Sequence, residues 1–128
     1  MIKRLSKLLD EIRYEELSSE TVEKTKEAVL NFFGGSLPGA LKPLTLAEKR
    51  FWERQGCVGE AVILGHRGKT SAVAAAAVNG AMGEIYLSED VHMPTSSHPG
   101  MIVIPVAMAA AQEAHADGRK VIEAIAAG

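Results

Sequence analysis

Apolar side chains recur at Ile2, Leu5, Leu8, Leu9 and Ile12, with Lys3, Arg4, Lys7 and Asp10 between them. Spacings of three and four residues put these apolar positions on one stripe and predict a first amphipathic helix. The run YEELSSE interrupts the pattern. Ser19 is then expected to cap a second helix, with Glu20 suited to its positive start and Val22, Thr25, Val29, Phe32 and Phe33 forming its buried stripe. The run GGSLPG is expected to stop that helix, because paired glycines and a proline do not sustain one. Thr45 and Glu48 stand in capping-box spacing ahead of KRFWERQG and predict the start of a third helix.

From Gly59 the pattern changes. Ala61 to Leu64 is a short apolar, partly β-branched run that meets the turn sequence Gly-His-Arg-Gly, which predicts a short β-hairpin near residues 59–70. SAVAAAAVNGAMGEIYL returns to helical composition, and its small residues let another helix approach closely. PGMIVIPVAMAAAQEAHA is expected to be a buried helix, with a strand at its beginning as the competing reading and Pro105 placed in its first turn. Asp117 is expected to cap a last helix, GRKVIEAIAAG. The fold expected is therefore mainly α, one helical domain over residues 1–128 with a single short hairpin.

Composition narrows the function classes. Apolar residues make up 47% and charged residues 23% of the 128, a globular balance. The formal net charge of −2 gives no electrostatic ground for nucleic acid as a ligand. Basic residues favour the first half, but they alternate with acids in EKTKE and AEKRFWERQ, the pattern of a solvated helix surface. The most apolar windows are short or interrupted and rich in alanine, below what a bilayer span requires. Cys57 is the single cysteine and cannot form an internal disulfide, and MIKRLSKLLDEI lacks an apolar signal core, so a cytoplasmic protein is expected.

Candidate chemistry concentrates in SEDVHMPTSSHPG, from Ser88 to Gly100. Glu89, Asp90, His92 and His98 are candidates for proton transfer, because histidine titrates near neutrality and a neighbouring carboxylate fixes its tautomer. Asp90, His92 and His98 also supply a carboxylate and two imidazoles, but at no recognised metal-ligand spacing, and neither metal nor cofactor is implied. His66, in a turn, and His115, near a helix end, read as structural.

The order of these elements resembles the N-terminal part of the MmgE/PrpD family, which includes 2-methylcitrate dehydratase, cis-aconitate decarboxylase and related epimerases. The resemblance spans nearly the whole chain. It is carried by LNFFGGSLPGA, by EAVILGHRGKTSAVAAAAVNGA and, most specifically, by HPGMIVIPVAMAAAQEAHADGRKVIEAIAAG. After Asn-Gly-Ala, family members typically carry a histidine and then an Asp-x-Asp-Asp-Thr-His run. Here Glu84 stands at the histidine position, Leu87 at the first aspartate, Glu89 at the second, Asp90 at the third, Val91 at the threonine and His92 at the last histidine. The resemblance thus implies catalytic roles for His98 and Asp90. His92, Thr95, Ser96 and Ser97 are implied as groups that bind a small polycarboxylate. Leu87 and Val91 replace a carboxylate and a hydroxyl that dehydratases and decarboxylases of the family are expected to use. Family enzymes are also several times longer, with a central helical portion and an α/β lid that carry further active-site groups. The implied function is a subunit or fragment of a lyase or epimerase, inactive alone and completed by a complementary chain or within a homo-oligomer. A non-catalytic helical assembly module derived from the family is the competing reading.

Overall fold

The computed structural model describes residues 2–87 and 90–128, without the side chains of Leu8 and Asp10. Six α-helices form in chain order: α1 Ile2–Glu11, α2 Ser19–Ser36, α3 Pro43–Arg54, α4 Ala72–Glu84, α5 Pro99–Glu113 and α6 Gly118–Ala127. The most extensive packing is α4 against α5. Helix α2 lies against α4, α5 and α6, while α3 docks mainly on α4. Small residues explain the tight α4–α5 crossing: a methyl group added at Gly83 would lie 2.0 Å from the Met101 sulfur, and one at Gly80 would lie 3.0 Å from the Met101 carbonyl oxygen. Around this crossing Phe32, Met101 and Ile104 form one buried cluster, and Ala40, Ile63, Val78 and Met82 another.

Helix starts follow side-chain caps. Ser18, one residue before the expected position, accepts from Thr21 N at 3.0 Å, Ser71 accepts from Ala74 N at 3.3 Å, and Asp117 accepts from Lys120 N at 3.0 Å. Thr45 is not a cap. Helix α3 begins two residues earlier, at Pro43, where a missing N–H costs nothing, and the buried Thr45 hydroxyl donates to Gly39 O at 2.8 Å. Helix α2 likewise runs through Gly34 and Gly35 to Ser36, past the expected stop. Each helical glycine costs about 1 kcal/mol relative to alanine. Burial of Phe32 in this last stretch offsets that cost. Pro105 stands inside α5 rather than in its first turn; it is buried, and its ring removes the hydrogen bond that Met101 O would otherwise accept.

The expected hairpin near residues 59–70 is absent: no β-strand occurs among the described residues, and the domain is all-α. Ala61 and Thr70 exchange one antiparallel pair of hydrogen bonds, 3.0 and 2.8 Å, and the ladder stops there. Side chains take over the next backbone groups. The Asn79 amide, buried on α4, donates to Val62 O at 3.0 Å and accepts from Leu64 N at 2.8 Å, while Gln112 Oε1 of α5 accepts from Val62 N at 2.9 Å. The apolar run therefore reaches the core as an extended segment whose partner is a pair of helical amides, not a second strand.

Helix α1 makes at most marginal contact with the other helices, and Ile2, Leu5 and Leu9 are exposed. Among the described residues no helix is long and apolar enough to cross a membrane.

Candidate functional site

The segment from Asp90 to His98 leads directly into α5, and the first turn of that helix dictates its geometry. The opening N–H groups of a helix have no intrahelical acceptor. Pro99 has none to offer, so Gly100 brings the first backbone donor. Both carboxylate oxygens of Asp90 accept from Gly100 N at 3.1 Å, which sets a negative charge against the positive end of α5. Gly100 is required for this approach: a methyl group there would lie 2.2 Å from Asp90 Oδ1.

His98 occupies the cap position of α5, with φ −115° and ψ 74°, and its side chain caps nothing. Its Nδ1 lies 2.9 Å from the main-chain oxygen of Asp90. A carbonyl only accepts, so Nδ1 carries the hydrogen. Asp90 thus acts twice, fixing the imidazole through its carbonyl and the helix end through its carboxylate. Both residues are half-buried.

The other expected site residues form a separate polar group at the outer turn. His92 and Ser97 make one antiparallel bridge, with His92 N donating to Ser97 O at 2.9 Å. Thr95 Oγ1 stands 2.7 Å from His92 Nδ1 and 2.8 Å from Ser97 Oγ, so one hydroxyl joins three of the four residues expected to bind substrate. Ser96 is exposed in the left-handed region, φ 50°, and its hydroxyl makes no hydrogen bond among the described residues. No hydrogen bond or ion pair joins His92, Thr95 or Ser97 to the Asp90 carboxylate among the described residues. Glu89, the remaining proton-transfer candidate, and Ser88 lie outside those residues.

Leu87 and Val91, which stand where the resemblance expects a carboxylate and a hydroxyl, are both exposed. The positioning roles of Asn79 and Gly100 escaped the sequence reading. Asn79 did leave a signal, the one amide in a helix whose other residues before Glu84 are all apolar or glycine.

In the turns of α5 that follow His98, Ile102 and Val106 are 64% and 54% exposed, and Val73, at the start of α4, is 66% exposed. Residues 3–128 match the model of the MmgE/PrpD N-terminal domain. No curated protein and no solved structure matches the chain.

Proposed function

The chain belongs to the MmgE/PrpD family, and on that premise we propose that its 128 residues act as one unit, the helical portion of a cytoplasmic lyase or epimerase for a small polycarboxylate. A complementary chain, seated on the outer face of α4 and α5, completes the site. The observation that carries this reading is the fixed imidazole of His98 at the foot of a helix whose outer apolar stripe is uncovered. In the completed site this imidazole takes a proton from the carbon beside a substrate carboxylate, and the resulting imidazolium returns it to that carbon or gives it to a departing hydroxyl. Asp90 orients this ring, its carboxylate being engaged at Gly100 N. His92, Thr95, Ser96 and Ser97 form the polar rim that receives the substrate carboxylates. Leu87 and Val91 offer no proton carrier, so the completing chain supplies the remaining acid–base groups.

The test is reconstitution with partners recovered by co-purification from the native source. His98→Ala should lower turnover of the complex by about tenfold to a hundredfold or more with folding unchanged. Undiminished turnover would remove His98 from the chemistry, and robust lyase activity from the wild-type chain alone would remove the need for a partner. The second reading, a non-catalytic assembly module, is favoured by Leu87 and Val91 themselves. It requires a partner that binds α4 and α5 in a complex without lyase or epimerase activity.

A further inference from the structure

The turn Gly-His-Arg-Gly-Lys, residues 65–69, folds over the second half of α3 and leaves a cleft of about 80 Å³ between them. We propose that this cleft binds a single phosphate group. It shares no lining residue with the Asp90–His98 segment. Three cationic side chains, Lys49, Arg67 and Lys69, line it together with one carboxylate, Glu53, in a chain whose net charge is −2. Both lysines are already ion-paired, which leaves Arg67 as the cation open to a ligand among the described residues. Glu53 is hydrogen-bonded to Lys49, Lys69 pairs with Glu60 outside the cleft, and the exposed Arg67 makes no ion pair among the described residues. His66 forms part of the same wall. Its Nε2 donates to Ala40 O at 2.8 Å.

The backbone contributes donors as well. Gly65 and Gly68 hold φ at 74° and 91°, and the successive N–H groups of Arg67, Gly68 and Lys69 make no hydrogen bond among the described residues. Consecutive N–H groups in such a turn form a concavity suited to an anion. A planar guanidinium beside them offers paired donors to phosphate oxygens. Size sets the class of ligand: the cleft is well below the roughly 300–1,000 Å³ of pockets for drug-sized molecules, so it takes one phosphate group and excludes a whole nucleotide from burial.

Trp52, the only tryptophan, forms one wall and reports occupancy. The purified chain is titrated with inorganic phosphate at about pH 8, where the anion carries close to two charges, with chloride holding ionic strength constant. Indole emission should change saturably with a millimolar midpoint. Arg67→Gln, at an exposed turn position, should raise that midpoint at least about tenfold with the helical circular-dichroism signal unchanged. If the indole gives no signal, phosphorus-31 line broadening by the wild-type chain, lost in Arg67→Gln, decides the matter. A response reproduced by chloride, one unaffected by Arg67→Gln, or absence of both signals would overturn the proposal. Acetate binding as tightly as phosphate would overturn the phosphate assignment in favour of a carboxylate site.

Discussion

Leu87 holds φ at 50° while leaving 76% of its surface to solvent, so an apolar side chain bears a left-handed backbone without burial in return. That conformation costs an L-residue roughly 1–2 kcal/mol and costs asparagine or aspartate less. Leu87→Asn should therefore raise the free energy of unfolding by about 0.5–1 kcal/mol in a urea titration, and an unchanged midpoint would show that the turn relaxes instead. The aspartate that the resemblance implies at this position would suit this backbone better than leucine does. At Gly100 residue and backbone agree, because the Asp90 carboxylate occupies the space that a side chain would need.

At the scale of elements, α6 is tied to the turn at Tyr14–Glu16 by Glu123, whose Oε2 accepts from Tyr14 N at 3.1 Å and whose Oε1 accepts from Lys120 Nζ at 2.6 Å. The Lys120 hydrogen bond first, then the Tyr14 N–H, hold the Glu123 carboxyl below the usual carboxylate range against the desolvation that opposes them. A carboxyl depressed on folding gives its full contribution above its unfolded-state value of about 4.3 and loses it as pH falls through the lower folded value. Glu123→Gln should consequently lose less stability than the wild type between about pH 5 and pH 3; parallel acid transitions would show that the tie contributes nothing. Most elements were readable in advance. Apolar spacing and caps marked α1, α2, α4 and α6, and α5 proved helical despite its β-branched start. The hairpin was misread for a physical reason. The Ala61–Leu64 run has the composition of a strand, but its partners are Asn79 and Gln112, 15 and 50 residues away from the backbone groups they bind. Nothing local announces a side-chain amide as the neighbour of an extended segment. The stop expected at Gly34 and Gly35 failed likewise, because tertiary burial outweighed local propensity.

At the scale of the molecule, α4 and α5 are apolar on nearly every side, the composition of helices covered all round. Val73, Ile102 and Val106 nevertheless face outward. A chain with that face open should self-associate or bind an apolar dye at micromolar concentration. The double variant Ile102→Lys, Val106→Lys should sediment as a folded monomer with reduced dye binding. A wild-type chain that is already monomeric and dye-silent would show that the stripe needs no cover. At the candidate site the sequence named His98 and Asp90 as candidates, whereas their connection through a main-chain carbonyl depends on the path of the loop.

The Asn79 amide also fixes an order of events. A hairpin closes on local contacts, but Val62 and Leu64 acquire their partners only when α4 and α5 are already formed and docked. Their amide hydrogens should therefore exchange with deuterium as slowly as those of the α4–α5 core, although they lie outside regular secondary structure. In Asn79→Ala, Leu64 should exchange at least about a hundredfold faster, the rate ratio that roughly 3 kcal/mol of lost protection would give. Slow exchange persisting in that variant would mean that the segment is held by packing alone. Its ordering would then not await the amide, and the extended run would be free to form before the helices meet.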